Sequence, residues 1–285
     1  MKELNGKELQ GFIKQRQARQ VRNLRQEYGV VPKLVIIMSK NASQAIQTYV
    51  RMKTRYAADI LIDVDVQAVA QADMMAAIDQ ANNDPVVQGI ILQLPIDDVS
   101  QTEKLCQLIA PEKDVDGLGS SSIYPSATAQ AIDWLLAGYN IELSDKQIAI
   151  VGRGKLVGAP LEKMWQQRGL NVQVYDKTNP ATADSLQKCN VIVTATGVPH
   201  LITSEMIAPE TVVVDAGTAS EGGVLVGDVD DAVRQRSDIT ITPQKGGVGP
   251  LTYAVLFDHL IEACLRRVGK FSNSIAYRSA LLWRG

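Results

Sequence analysis

The feature that most constrains this chain is a recurrence. Eight runs rich in Val, Ile and Leu, each four or five residues long, are separated by stretches with helical spacing or by glycine-bearing turns. The first three runs, over 34–38, 60–64 and 89–92, alternate with helical patterns near 42–56 and 69–82, and another helix is expected over 103–108. Five more follow over 147–151, 171–175, 190–194, 211–214 and 238–241, with a helix from Leu156 that carries Pro160 in its first turns. Strands that alternate with helices give an α/β fold with parallel sheets. The Pro111-to-Gly117 stretch, the Ser/Gly-rich 119–122 segment and a helix ending near Gly138 break the series, so the domain change is placed there. The stretch 252–267 reads as helical again.

Composition narrows the class further. The 285 residues are 46% apolar and 21% charged, which excludes disordered and collagen-like chains and leaves room for two cores. The longest apolar runs fall short of the ~20 residues that cross a bilayer, and the N-terminus has no signal-peptide core. The expectation is a cytoplasmic protein with no membrane partner. Cys106, Cys189 and Cys264 are odd in number and widely spread, as reduced core thiols are. His200 and His259 match no metal-ligand spacing and no nucleophile elbow accompanies them, so neither a metal nor a catalytic triad is expected.

Charge is uneven. Residues 1–55 carry 12 Lys/Arg against 3 Asp/Glu, whereas 56–142 carry 2 against 14. A basic arm of this kind could meet a nucleic acid. Here Leu9, Phe12, Ile13, Val21 and Leu24 recur between the charges at helical spacing, which favours a solvated helix face over a nucleic-acid partner.

The candidate chemistry begins where the run 147–151 enters Gly152, Arg153, Gly154 and Gly158 before a helix. Glycines at such a turn let backbone amides approach a pyrophosphate. The spacing G-x-G-x-x-x-G is one longer than the usual dinucleotide fingerprint. Asp176, 24 positions after Gly152, ends the next strand and is either the ribose-binding acid or a turn residue. Gly197 and Gly217 end further strands on the same edge. Together these read as a Rossmann-type nicotinamide site. In the first half, Tyr49 and Lys53 share a helix face. Gln93 stands at the C-terminal end of a strand, where parallel sheets present ligand contacts, and Asp116 lies in a Gly-terminated loop. Taken singly, these four are also an ordinary surface pair, a strand-end hydrogen-bonder and a turn former.

In order along the chain stand Tyr49-Val50-Arg51-Met52-Lys53, Gln93-Leu94-Pro95, Lys113-Asp114-Val115-Asp116-Gly117, Val151-Gly152-Arg153 with Val157-Gly158-Ala159-Pro160, and Gly246-Gly247-Val248-Gly249-Pro250-Leu251-Thr252. This series resembles the ordered motifs of the methylenetetrahydrofolate dehydrogenase/methenyltetrahydrofolate cyclohydrolase family. The resemblance implies a folate-binding catalytic domain over 1–122, completed by a returning C-terminal helix over 252–285, and an NAD(P)-binding Rossmann-like domain over 123–251. It implies a hydride passing from methylenetetrahydrofolate to the nicotinamide, then hydrolysis of the methenyl product to formyltetrahydrofolate, in a cytoplasmic homodimer of one-carbon metabolism that feeds purine biosynthesis.

By the same resemblance Lys53 serves as general acid-base, Gln93 holds it, and Asp116 takes the pterin N–H donors. Tyr49 stacks on the folate, and Pro95, Gly247, Gly249 and Pro250 contact substrate. Gly152, Arg153, Gly154, Gly158, Asp176, Gly197 and Thr252 hold the cofactor. Arg153 favours NADP through a 2′-phosphate contact, while Asp176 favours NAD as the alternative. Three segments depart from the family pattern: a short loop over 118–124, Pro125-Ser126-Ala127-Thr128 in place of Pro-Cys-Thr-Pro, and Thr242-Pro243-Gln244-Lys245 in place of Thr-Pro-Val-Pro. They admit a chain that keeps one activity, an altered folate specificity, or a non-enzymatic nucleotide-binding module.

Overall fold

A computed structural model describes residues 2–221 and 224–269. The chain begins with β1 (Lys2–Glu3), α1 (Gly6–Glu27), β2 (Lys33–Ser39), α2 (Gln44–Asp59), β3 (Asp63–Val69), α3 (Met74–Asn83), β4 (Gly89–Leu92), α4 (Thr102–Leu108) and α5 (Ala127–Gly138). It continues with β5 (Ile148–Val151), α6 (Gly158–Gln167), β6 (Val172–Tyr175), α7 (Ala183–Leu186), β7 (Val191–Thr194), β8 (Val212–Asp215), the hairpin β9 (Ala219–Glu221) and β10 (Val224–Val226), α8 (Asp231–Arg234), β11 (Thr240–Ile241) and α9 (Val248–Arg267). Two compact units emerge, one of Gly11–Ala127 with Tyr253–Gly285, the other of Met1–Gln10 with Thr128–Thr252. The C-terminal helix expected over 252–285 is described to Arg267, and 270–285 lie outside the described residues.

In the first of these units the sheet order is β3-β2-β4, all parallel. β2 is central and buried from Leu34 to Ser39, as expected of a strand covered on both faces. Val35 and Ile37 turn to one face, where Met74 and Ile78 of α3 and Leu105 of α4 pack on them. Gln17 of α1 donates to Ala254 O at 2.7 Å and accepts from Tyr56 Oη at 2.8 Å, and the Tyr56 and Phe257 rings stack at 5.2 Å, so α1, α2 and α9 are tied together.

The strand expected over 60–64 is displaced. Ile60 caps α2, Leu61 adopts φ 63°, and the strand runs over Asp63–Val69. Ile60 and Ile62 are apolar because they plug the end of the helix, whereas the true strand is a half-exposed sheet edge whose residues alternate. Phe12, spaced for the core, is 62% exposed, although Leu9, Ile13, Val21 and Leu24 are buried.

The other unit holds a six-stranded parallel sheet, β1-β11-β8-β7-β5-β6. The first residues join it because Lys2 and Glu3 pair with Thr240 and Ile241, and Leu4 N donates to Ile241 O. Ala149, Val151, Ile192, Val213 and Ile241 pack against Leu186, Ile202 and Val233 on one face. Trp165 of α6 is fully buried and its Nε1 donates to Asp133 of α5 at 3.0 Å. β6 and β7 flank β5 on opposite sides, so the connections diverge at the C-terminal end of β5, where open α/β sheets take their ligands.

α9 is the one described helix long and apolar enough to cross a membrane. Two-thirds of it, 67%, is buried inside the protein, as in the core helix of a globular unit. Among the described residues no group of three or more His, Cys, Asp or Glu is placed to hold a metal ion.

Candidate functional site

Ser43 caps α2 by accepting from Ile46 N, and three turns later the helix delivers Lys53 to the interior, 7% exposed. A buried ammonium needs a partner. Lys53 Nζ donates to Gln93 Oε1 at 2.7 Å. Gln93 follows β4 directly and is fixed twice over: its backbone N–H donates to Ile37 O at 2.8 Å and its Nε2 to Leu94 O at 3.0 Å. The next peptide bond, Leu94–Pro95, is cis. Asp116 supplies the countercharge to Lys53.

Burial dominates the electrostatics. It pulls the Lys53 amine below the ordinary lysine value, with Asp116 opposing, and pushes the Asp116 carboxyl up to about 6, with Lys53 opposing and Asp114 reinforcing. Burial thus disfavours charge on both groups, so the amine holds its proton less tightly and the carboxyl more tightly than either does in water. Tyr49, one turn before Lys53, is half-buried.

Asp114, Lys113 and Gly117 build the loop that carries Asp116. Asp114 is buried and accepts from Gly117 N at 3.1 Å and Gly119 N at 2.8 Å. Lys113 donates to Ala81, Asn82 and Asp84 carbonyls, closing the C-terminus of α3. Gly117 has φ 70°, and a Cβ there would lie 2.2 Å from Pro125 O. His259 Nδ1 lies 2.8 Å from Val115 O and its ring stacks on Tyr124. Tyr253 packs in the same unit. It is buried, points its hydroxyl at Met52 Sδ, and has its phenol held above the usual range by burial and by Tyr49.

The other unit presents the glycine turn. Gly152 has φ 102°, and a Cβ on it would sit 2.5 Å from Ala195 O; at Gly158 it would sit 1.8 Å from Gly152 O. These two glycines are therefore demanded by the tight turn and by the approach of helix to strand, whereas Gly154 meets nothing nearer than Ala195 O at 3.9 Å and is open to a ligand. Arg153 is engaged by Glu162, and Asp176 Oδ1 accepts from Thr178 N, Thr178 Oγ1 and Asn179 N, which hold its carboxyl below the usual range. Asp176 is thus the turn former of its own loop, with Oδ2 outside those bonds.

Gly197 has φ 69°, and the neighbouring Thr196 N donates to Asp228 Oδ2 at 2.7 Å. Asp215, at the end of β8, accepts from Thr194, Gly217 N, Asp228 N, Val229 N and Arg234, a knot no sequence pattern announced. Gly247 packs against Gly6, where a Cβ would meet Gly247 O at 1.9 Å, while Gly249 is open. Gln10 Nε2 donates to Pro250 O at 2.6 Å and Thr252 Oγ1 to Val248 O at 3.4 Å. The expected residues therefore fall into two groups. Tyr49, Lys53, Gln93, Pro95 and Asp116 belong to one compact unit, and the glycine turn, Asp176, Gly197, Gly247, Gly249, Pro250 and Thr252 to the other.

Residues 4–116 match the tetrahydrofolate dehydrogenase/cyclohydrolase catalytic domain, and 126–268 match the NAD(P)-binding domain of the same name. The chain is similar to the bifunctional protein FolD of Nitratiruptor sp., 30% identical over 280 residues that cover 94% of this chain and 99% of the relative. It is also similar to that of Lactobacillus helveticus, 33% identical over 280 residues covering 93% and 98%. Among solved structures it is similar to the FolD methylenetetrahydrofolate dehydrogenase/cyclohydrolase of Campylobacter jejuni, with a TM-score of 0.87 at 30% identity, covering 94% and 99% of the two chains. The Trypanosoma brucei enzyme, complexed with NADP and an inhibitor, has a TM-score of 0.85 at 27% identity, covering 93% and 97%. By both domains and nearly its full length, the chain belongs to the tetrahydrofolate dehydrogenase/cyclohydrolase family.

Proposed function

We propose that this protein oxidises methylenetetrahydrofolate to methenyltetrahydrofolate with an NAD(P) acceptor and then hydrolyses the product to formyltetrahydrofolate. The observation that carries the reading is the buried Lys53 amine, 2.7 Å from Gln93 Oε1 with Asp116 as its countercharge. The oxidation removes a hydride and leaves a resonance-stabilised cation, so no side chain has to move a proton. Orientation of the reactants suffices.

The nicotinamide dinucleotide, when bound, supplies the hydride acceptor. The Gly152–Gly158 turn fits it, because Gly154 leaves the backbone open to a pyrophosphate and α6 begins there. Hydrolysis adds water to the cation and releases a proton. The Lys53 amine, whose hold on a proton burial weakens, takes a proton from the attacking water and returns it to the departing ring nitrogen, while the carbinol hydroxyl gives up the net proton to solvent. Gln93 keeps the amine aimed, Asp116 accepts the pterin N–H donors, and Tyr49 stacks on the ring. We assign folate to the unit of Gly11–Ala127 with the returning C-terminal helix and the nucleotide to the unit of Thr128–Thr252; the first ten residues, expected with the folate domain, pack with the nucleotide unit because β1 adds to its sheet. NADP is taken as the preferred acceptor, because Arg153 follows the first glycine of the turn and an arginine near the ribose-binding acid can accommodate a 2′-phosphate. The protein works as a cytoplasmic homodimer.

The test is spectroscopic. Protein mixed with methylenetetrahydrofolate and NADP or NAD accumulates reduced cofactor and methenyl product, and absence of turnover with both refutes the reading. Lys53→Met retains nucleotide binding but lowers hydrolysis of methenyltetrahydrofolate by roughly 100-fold or more. Undiminished hydrolysis would remove Lys53 from its role.

A further inference from the structure

Arg153 is not a free cation at the nucleotide edge. Its Nε and Nη2 donate to the two carboxylate oxygens of Glu162 at 2.8 and 3.2 Å, a two-point grip between the turn after β5 and the body of α6. The Glu162 side chain is 13% exposed and that of Arg153 56%, so the acid is the anchored member and the guanidinium the movable one. The Asp176 carboxylate, directly after β6, is near enough to feel the Arg153 charge as a minor contribution. In a sheet of this kind the acid after the second strand meets the ribose 2′ position, and a nearby arginine accommodates a 2′-phosphate. A depression of about 480 Å³ lined by Arg153, Ala159, Glu162, Lys163, Gln166 and Gln167 leaves room beside the pair, with Lys163 as a second cation on its wall.

We propose that Glu162 is a cofactor-selecting residue, which holds Arg153 in a neutral pair and so restrains the preference for a 2′-phosphorylated nicotinamide dinucleotide. The proposal rests on the NAD(P)-dependent activity given above. A 2′-phosphate has to take the guanidinium away from Glu162 and lie close to that carboxylate and to Asp176. A cofactor with a free 2′-hydroxyl does neither. Neutralising position 162 returns both guanidinium donors to the phosphate, where charge-assisted bidentate bonds are strongest. The effect belongs to cofactor binding, because the 2′ position lies on the adenosine end of the dinucleotide, away from the ring that takes the hydride.

The experiment measures kcat/KM for NADP and for NAD, with methylenetetrahydrofolate, in the wild type, Glu162→Gln and Glu162→Asp. Glu162→Gln is expected to raise the NADP-to-NAD efficiency ratio about tenfold or more, through the KM for NADP, as one charge-assisted contact regained is worth. Glu162→Asp, which keeps the charge but shortens its reach, is expected to fall between the two. A ratio that stays within about twofold of wild type, or a common fall in both efficiencies, overturns the proposal and leaves the proposed function standing. Wild-type protein inactive with both cofactors overturns the two together.

Discussion

Asp116→Asn is expected to make this protein more stable and less useful. The carboxyl is held about two pH units above its ordinary 3.8, at about 6, even though Lys53 pulls it the other way. At about 1.4 kcal/mol per unit, keeping it ionised in the folded chain costs about 3 kcal/mol, and about half that if solvent reaches the half-buried side chain. The pH window follows from the direction of the shift. Below pH 4 the group is protonated in folded and unfolded chains alike, and nothing is lost. As pH rises from 4 to 6 the unfolded chain releases its proton first, folded stability falls, and above 6 the whole penalty is present.

Asparagine has the same shape and no charge. At pH 7.5 it should raise Tm by roughly 3–12 °C, at roughly 2–4 °C per kcal/mol for a chain of this size. At pH 5 the gain should shrink to about half. Thermal scans of wild type and variant in matched buffers at both pH values give the comparison. An unchanged or lower Tm for Asp116→Asn at pH 7.5 would refute the reasoning that burial of an ionised carboxylate strains this loop. Folate turnover in the same samples should fall, because the amide offers one acceptor oxygen to the pterin instead of two.

Two further variants test the frame around the site. Gln93→Leu deprives the Lys53 amine of its 2.7 Å acceptor and should slow hydrolysis by roughly ten- to a hundredfold, the worth of a hydrogen bond to a charged group; a steady-state assay on methenyltetrahydrofolate showing wild-type kcat would contradict this. Gly158→Ala forces a methyl to within 1.8 Å of Gly152 O. It should cost about 1–3 kcal/mol in urea unfolding and weaken NADP binding, whereas Gly154→Ala, with no atom nearer than 3.9 Å, should leave the unfolding midpoint where it is.

The readable parts of the sequence were those governed by local chemistry. Short apolar runs between helical stretches announced parallel sheets, because a strand covered on both faces is apolar where it is buried, as β2 is from Leu34 to Met38. The motif residues Lys53, Gln93 and Asp116 pointed to one centre, and one compact unit holds all three. Local chemistry also misled. Ile60, Leu61 and Ile62 look like a strand, but Ile60 and Ile62 are buried at the end of α2 while Leu61 faces solvent. Phe12 has core spacing and faces outward. A hydropathy pattern records that a residue is apolar and not which surface it will meet.

Sequence alone determined the α/β alternation, the glycine turn, and the residue types available for proton transfer and nucleotide binding, since each depends on a few neighbours along the chain. Only the tertiary structure decided that Glu162 grips Arg153 from nine residues away, that Asp215 gathers donors from four separate segments, and that Lys53 lies buried against Gln93, forty residues distant. Charge state and hydrogen bonding are set by burial and by what approaches through space, and a linear order of residues carries neither.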